Sequence, residues 1–390
     1  MKSLLVSIIV AGLALNTIQA QTALQASGEA LSGSVSSPAP ISQSSPVQAS
    51  SPSTTPHSSP LARSCPALPP PPPTPENLTP FPTSSSLAST PPGEAPHAQP
   101  VNSPELVTRL QIFLDEQNFG PGIIDGKWGE FTAKALLHYA RAHHLAPDIS
   151  IYQELPLDSV FPIYTDYTIS GQDAAMVGPS PTKPSEQAKL ERMVYPSLLI
   201  FLEERFHASP DFLKKLNHGK DLEALKVGDI VRVPNVIPFK VEEIKKQKIP
   251  DHPEFELRSV FVNVQERMLD LYDGSQLIAS FPITPGSKTL PAPAGVWSII
   301  EISTLPEFRW DKEMLEHGHR SATFFEIPSG PRNPVGILWC GLDKPGIGIH
   351  GTSTPETIGR ASSHGCIRLA NWDAAKFSTM VTTDIPVTIY

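Results

Sequence analysis

The sequence predicts a multidomain protein: a disordered Pro/Ser-rich tether, a small α-helical domain, a small α+β module and a mostly β C-terminal domain. Three observations carry that prediction. Residues 26 to 100 hold 19 of the 44 prolines among serines and threonines, too little apolar surface to offset the entropy of ordering the segment. From Pro104 the apolar residues recur at helical spacing, and beyond about residue 255 they alternate with period two, as in half-buried strands. The 390 residues exceed what one ordinary domain needs.

The N-terminal segment reads as an export signal over residues 1–20. Met1-Lys2 supplies a positive start, Leu4 to Leu15 a short apolar run, and Ala20 a small residue for cleavage. The run falls short of the roughly 20 residues a membrane span needs, so no span is expected after cleavage; a retained anchor is the alternative. No cysteine follows the run closely, which argues against a lipoprotein. The tether, 21–100, is expected to be partly polyproline II around Pro69 to Pro73. As a flexible coil it reaches on the order of 50 Å. The formal charge of −9, with Lys and Arg spread thinly, argues against a nucleic-acid partner. Cys65, Cys340 and Cys366 are too few for a disulfide scaffold, and an odd count cannot all pair within one chain.

Residues 101–150 form the helical domain. Leu106, Leu110, Phe113 and Leu114 place a helix that runs into Asn118, and a second follows through Ala135, Leu136 and Tyr139. Between them, the glycines and the Asp125-Gly126 pair read as tight turns that need positive φ. This stretch resembles the small peptidoglycan-binding domain, whose signature is a glycine-bounded Asp-Gly turn before the last helix. Residues 160–238 form the α+β module: a strand near Tyr167 to Ile169, a helix over Leu198 to Phe206, a second helix started by Ser209-Pro-Asp211, and a β-rich run to Pro234. The tail resembles the second half of a LysM module, which implies glycan binding. The first half departs from that pattern through a polar insertion around Gly171 to Lys189, so a structural spacer is equally open.

The largest unit spans 255–390. Val260, Val262 and Val264 mark a strand, and Met268 to Tyr272, Asp273-Gly274 and Leu277 to Phe281 mark a β-hairpin. Strands follow at Val296–Ile300, Val335–Trp339, Ile347–Ile349 and Pro386–Tyr390. Asn371 is placed to cap the one main helix, through Ala374, Ala375, Phe377 and Met380. Thr304 to Asn333 has no clear strand pattern but carries Phe308, Trp310, Phe324 and Phe325, and reads as a lid or groove wall; an ordinary surface insertion is the alternative.

The chemistry concentrates in Ile349-His350-Gly351-Thr352 and, ten residues on, Ser363-His364-Gly365-Cys366-Ile367-Arg368-Leu369. A cysteine attacks a carbonyl only as thiolate and needs a base and a positive local field. Two histidines lie close to Cys366, and Gly365 beside it lets the backbone turn and present N–H groups to an oxyanion. Each residue also has a structural reading: a buried thiol for Cys366, a core histidine for His350, a scaffold ion pair for Arg368, a turn hydroxyl for Ser363. Cys340, His350, His364 and Cys366 lack the close pairs of a zinc site, so no metal is expected. Nor is a cofactor. Cys340 is expected to fill core beside Trp339, against a Cys340–Cys366 disulfide as the alternative.

The pattern closely resembles the L,D-transpeptidase catalytic domain over essentially all of 255–390, including Pro293-Ala-Gly295 and Gly330 to Gly336. The resemblance implies a β-sandwich or barrel with one main helix, and Cys366 as nucleophile. It implies His350 as base with the Gly351 carbonyl orienting its ring, and an oxyanion hole from the backbone of Ser363, His364, Gly365 and Cys366. Arg368 then becomes a partner for a substrate carboxylate. It further implies peptidoglycan as partner (a donor tetrapeptide and an acceptor stem), 3→3 cross-links, inhibition by carbapenems, and a place in the periplasm or cell wall. An L,D-carboxypeptidase using water, a transpeptidase attaching proteins to the wall, and a non-catalytic wall-binding protein are the other functions the same residues allow.

Overall fold

The computed structural model describes residues 103–146, 148–287, 290–360 and 365–390, all within one compact unit that spans residues 80–390. The expected signal, the tether with Cys65, and the candidate residues Ser363 and His364 lie outside the described residues.

The helical domain opens with α1 (Pro104–Glu116) and α2 (Glu130–Ala142). Ser103 caps α1 by accepting from the Leu106 amide, and Pro104, which has no N–H to lose, starts the helix. The helix stops two residues short of Asn118, which takes a left-handed φ of 66°. Gly126 has φ 68°, and a Cβ there would meet Thr108 Oγ1 at 3.0 Å. Buried Gln111 wraps this turn: its Oε1 accepts from the Asp125 and Gly126 amides, and its Nε2 donates to Asp125 Oδ1. The turn is thus held by a side chain one helix away, which satisfies amides that no ladder reaches.

The α+β module runs β1 (Tyr164–Thr168), α3 (Gly171–Ala174), α4 (Pro184–Gln187), α5 (Leu198–Arg205), α6 (Pro210–Leu216) and β2 (Ile230–Pro234). β1 and β2 pair antiparallel, Tyr164 opposite Pro234. Ser197 and Ser209 cap α5 and α6. The polar insertion is therefore two short helices, α3 and α4, between β1 and α5.

The C-terminal domain holds β3 (Gln247–Lys248), β4 (Arg258–Asn263), β5 (Met268–Asp273), β6 (Gln276–Pro282), β7 (Thr284–Pro285), β8 (Gly295–Thr304), β9 (Phe308–Trp310), α7 (Lys312–His317), β10 (Phe325–Ile327), β11 (Leu338–Leu342), β12 (Gly348–His350), β13 (Ile367–Arg368), α8 (Asn371–Ser378) and β14 (Pro386–Ile389). Its main sheet runs β6-β5-β4-β14-β8-β11-β12-β13-β7, with β3 beside β8. The two ends of that path, β6 and β7, are separated in the chain by Ile283 alone, so the sheet must curl back on itself into a barrel-like form. Val260, Leu271, Phe281, Ile349, Phe377 and Val387 are fully buried in the core.

Three expectations need correction. The strand placed at Val335–Trp339 is Leu338–Leu342, because the chain turns at Gly336 (φ 62°), whose amide bonds the Asn333 carbonyl. Thr304–Asn333 is not strandless: β9 and β10 pair as a hairpin around α7, Phe325 opposite Trp310. Aromatic residues close together in a short run gave no clean alternation there. Asn371 does not cap α8. Ala370 occupies the cap position, and the Asn371 side chain is fully buried and bonded elsewhere.

The helical domain and the α+β module pack on the C-terminal domain through buried polar contacts. Gly120 donates to Ser280 O and Asn118 O accepts from the Ser280 amide; a Cβ on Gly120 would strike Pro282 Cδ at 2.8 Å. Asp115 of α1 accepts from Lys376 of α8 at 2.7 Å and lies 3.2 Å from His207 Nδ1. Burial pushes the Asp115 carboxyl up, but the charges of Lys376 and His207 together hold it well below the usual carboxylate range. Nearby carboxyls go the other way. Burial raises Glu203 to about 8, helped by the charges of Glu356 and Glu204, and it raises Asp373 to about 8 and Glu204 to about 7.

A carboxyl raised in the fold keeps a proton there that the unfolded chain gives up. Its stability contribution is complete below the unfolded pKa and is lost as pH rises toward the folded one. The melting temperature is therefore expected to fall between about pH 5 and about pH 8, and Glu203→Gln to flatten that slope. A melting temperature that climbs across this range would show the three carboxyls ionised and paired instead.

Candidate active site

β12 and β13 run parallel, with Ile349 beside Ile367 and His350 beside Arg368. In-register neighbours face the same side of a sheet, and residues two apart on a strand share a face. His350, Arg368 and Cys366 therefore share one face, with Cys366 level with Gly348. β11 lies on the other side of β12 and puts Trp339 opposite His350. The two rings stack with centroids 5.8 Å apart.

His350 is buried, and its Nδ1 lies 2.6 Å from the carbonyl oxygen of Gly351. A carbonyl can only accept, so Nδ1 carries the proton and Nε2 is left as the unprotonated nitrogen. Burial, then the charge of Arg368, pull the His350 pKa down to about 3, against the smaller upward effect of the Gly351 bond. The Cys366 thiol donates to the Gly346 carbonyl at 3.5 Å. Burial pushes its pKa up, and a Gly348 backbone bond and the Arg368 charge offset this only in part. The resting pair is a neutral thiol beside a neutral imidazole. Gly365 before it sits at φ 100°, a conformation that side chains resist.

A lane of glycine runs across the sheet beside this row. Gly341 of β11 lies between Glu301 of β8 and Gly348 of β12, which borders Cys366. The Trp339 indole takes up much of the space side chains would fill: a Cβ on Gly348 would meet its ring at 2.8 Å and the Cys340 carbonyl oxygen at 2.7 Å, and one on Gly341 would meet Glu301 Cγ at 3.0 Å and the indole Nε1 at 3.1 Å. The indole N–H donates to Glu301 Oε1 at 3.1 Å. Together these surfaces wall a groove of about 1030 Å³ that also takes in Cys366, His350 and Arg368. Trp310, Met314 and Arg320 from the β9–β10 hairpin and its helix line it too, as do Lys246 and Lys248 from the connection and Pro184 and Gln187 from the α+β module.

The sequence of residues 257–389 matches the family model of the L,D-transpeptidase catalytic domain, YkuD. Residues 257–389 are an L,D-transpeptidase catalytic domain. The chain is 26% identical over 159 residues to a protein of Bacillus licheniformis designated L,D-transpeptidase YkuD, covering 41% of this chain and 70% of that one. It is 28% identical over 130 residues to the Bacillus subtilis protein of that designation (33% and 64%). It is 30% identical over 127 residues to the Escherichia coli protein designated L,D-transpeptidase ErfK/SrfK (31% and 40%). The match thus spans between 40% and 70% of these relatives' lengths. Among solved structures, it is similar to the catalytic domain of the Enterococcus faecium L,D-transpeptidase: 21% identity, 35% of this chain, 98% of that chain and a TM-score of 0.26. It is also similar to the LD transpeptidase LdtMt1 in complex with imipenem, at 16% identity, 43% and 76% coverage and a TM-score of 0.28.

Within the L,D-transpeptidase domain, His350, Cys366 and Arg368 line one groove, and Gly351 and Gly365 adjoin it in the chain. Arg368 has no ion pair to an acidic side chain among the described residues, and its Nε has no hydrogen-bond partner among them. Cys340 is fully buried behind the sheet, is not bonded to Cys366, and is raised by burial and the Glu301 charge. Reasoning from sequence passed over Trp339, Glu301 and the glycine pair. Their signal, Gly341 and Gly348 flanking a sharp turn, only acquires meaning once β11 and β12 are paired.

Two measurements test this geometry. In histidine-labelled protein, the ring signal lost in His350→Gln is expected to show a neutral, Nδ1-protonated imidazole at every pH from about 5 to about 9, since burial disfavours the imidazolium. Titration near its ordinary 6.5 would contradict the burial argument. Gly348→Ala is expected to cost about 1–3 kcal/mol in a denaturant melt and to alter the Trp339 fluorescence, as overpacking does. An unchanged midpoint would mean the indole does not fill the lane.

Proposed function

We propose that this chain is an L,D-transpeptidase that joins peptidoglycan stem peptides by 3→3 cross-links through a thioester on Cys366. The observation that supports the reading best is the commitment of His350 Nδ1 to the Gly351 carbonyl beside a thiol on the same sheet face. It makes Nε2 the nitrogen that takes a proton.

The reaction then runs in two halves. His350 Nε2 accepts the Cys366 proton, and the thiolate attacks the carbonyl of the third stem residue of a donor tetrapeptide. By resemblance that residue is meso-diaminopimelate. The tetrahedral oxyanion is held by backbone N–H groups around Gly365 and Cys366, the stretch that includes Ser363 and His364. The bond to the terminal D-alanine breaks, and the amine leaves with the proton from His350. In the second half an amine of a neighbouring stem gives a proton to His350 and attacks the thioester, and the thiol is regenerated as the amide forms. Arg368 is assigned to a substrate carboxylate, since a largely buried guanidinium with an unused Nε beside the reacting thiol suits an anion.

Burial lowers the His350 pKa and raises that of Cys366, so the resting pair favours thiol and imidazole over the ion pair. The helical domain and the α+β module are assigned to holding the wall, and the N-terminal segment to export and tethering in the periplasm. Among the described residues, no helix is long and apolar enough to cross a membrane.

Intact-protein mass spectrometry with a disaccharide tetrapeptide, with and without an acceptor stem, tests the assignment. A thioester adduct that resolves to a stem dimer is expected, together with acylation by a carbapenem. Cys366→Ala should form neither adduct, and His350→Gln should slow acylation by about 10² to 10⁴. Adducts that persist in Cys366→Ala would remove the nucleophile assignment. Tripeptide as the sole product would make the enzyme an L,D-carboxypeptidase.

A further inference from the structure

The Gly351–Thr352 peptide group is held from both ends. Its carbonyl accepts from His350 Nδ1 at 2.6 Å, and its N–H, on Thr352, donates to Asn371 Oδ1 at 3.1 Å. The same Oδ1 accepts from the Ile337 amide at 3.2 Å. Asn371 is fully buried, and the space around its oxygen is closed: a Cβ on Gly351 would come within 2.3 Å of it and one on Gly336 within 2.1 Å. Its other end, Nδ2, donates to the Pro331 carbonyl at 3.0 Å and to Glu204 Oε1 in a short bond.

Glu204 does not belong to the catalytic domain. It sits on α5 of the α+β module and is 1% exposed. The module is anchored at this point by its own backbone. Met193 N donates to Ser329 O, and Gly330 approaches Met193 so closely that a Cβ would lie 2.1 Å from the Met193 oxygen.

From this chain of contacts we propose that Glu204 is a positioning residue for catalysis. Through Asn371, this side chain from a separate module orients the Gly351–Thr352 peptide, and so fixes the tautomer and angle of His350. The inference rests on His350 acting as the base. Hydrogen bonds in series polarise one another: a carboxyl on Asn371 Nδ2 strengthens Oδ1 as an acceptor, which strengthens the Gly351 carbonyl as an acceptor for Nδ1–H. A bond between a side chain and the next residue's carbonyl also needs that peptide turned back toward the ring, and Asn371 is what holds it there. Without an acceptor on Glu204, fully buried Nδ2 keeps only the Pro331 carbonyl, and the amide is held less firmly in its orientation. The catalytic domain is on this account incomplete without the α+β module, whatever that module binds.

Two substitutions in the full chain separate positioning from packing. Glu204→Gln keeps an acceptor oxygen, whereas Glu204→Met keeps the volume and removes it. The first readout is the ring spectrum of His350 in histidine-labelled protein. The second is the rate of Cys366 alkylation by iodoacetamide at pH 7, followed on the Cys366 peptide. In Glu204→Met, a mixture of His350 tautomers is expected, with alkylation about 10-fold slower, the order that a small misplacement of a catalytic group costs. Glu204→Gln should keep the Nδ1-protonated form and stay within about threefold of wild type on the same scale. A Glu204→Met protein with a wild-type ring spectrum overturns the proposal, even if its stability falls, because packing alone would then explain the contact.

Should Glu204→Met fail to fold, wild-type and Glu204→Gln proteins decide the matter by titration. Glu204 is raised to about 7 by burial. The Asn371 side-chain amide and the His350 ring should shift together through that ionisation in wild type and not in Glu204→Gln. An Asn371 shift that leaves His350 unmoved overturns the proposal. These spectra read positioning even if the protein were inactive on stem peptides, so a failed transpeptidation assay would count against the proposed function and not against Glu204.

Discussion

The hydrogen bond from His350 Nδ1 to the carbonyl of the very next residue is the constraint on which the site depends. A strand residue normally sends its side chain away from the following carbonyl, so this contact requires β12 to end at His350 and the chain to turn at once. Gly351 permits the turn because no side chain fits against Asn371 there. The bond then removes one of two possible tautomers, and burial removes the imidazolium. What is left is a neutral imidazole with one unprotonated nitrogen. Its chemistry is decided by a backbone oxygen and not by an acidic partner, so no further charge has to be buried to orient it.

Around that base the sheet works as a template. In-register pairing sets Trp339, His350 and Arg368 side by side, and a one-residue slip would send all three through to the other face. The neighbouring row is stripped to glycine at Gly341 and Gly348, so the indole of Trp339 can lie flat across it. Trp339 and Gly341 line the same groove as Cys366. Arg368 adds the nearby positive charge, which favours a thiolate and opposes a protonated His350. A single residue thus eases loss of the thiol proton while opposing its arrival on His350.

The modules before the catalytic domain are built into it by polar contacts of the kind usually kept at surfaces. Asp115, Lys376 and His207 form one buried cluster, and His138, Asp270 and Ser280 another. The second cluster has the composition of a hydrolase triad but not its geometry. Asp270 and Ser280 both approach the same His138 nitrogen, Nδ1, so proton relay through the ring is not available. Such contacts contribute little net stability against an apolar alternative, but they tolerate only one relative placement of the partners. That selectivity suits an arrangement in which α5 has to meet Asn371 and α4 has to meet the groove.

Much of the fold was legible in the chain. Alternation across Val260–Val264 and Met268–Phe281, Ser209 before α6, and the Asp125-Gly126 turn are local signals. They are expressed in local structure, because dihedral preference and capping act within a few residues. The spacing of His350 and Cys366 was equally legible, since the short stretch between two paired strand ends limits how far apart they can lie. Asn371 was misread. Polar residues before a helical run usually cap it, and nothing local says that this one turns inward to reach Ile337, Thr352 and Glu204, 34, 19 and 167 residues away. The sequence by itself determined which residue types capable of this chemistry lie close together and where most of the helices and strands fall. Only the tertiary structure decided which nitrogen of His350 holds the proton, which walls enclose Cys366, and that a glutamate from another module stands, through Asn371, behind His350. Those depend on contacts between segments far apart in the chain, where no local preference carries information.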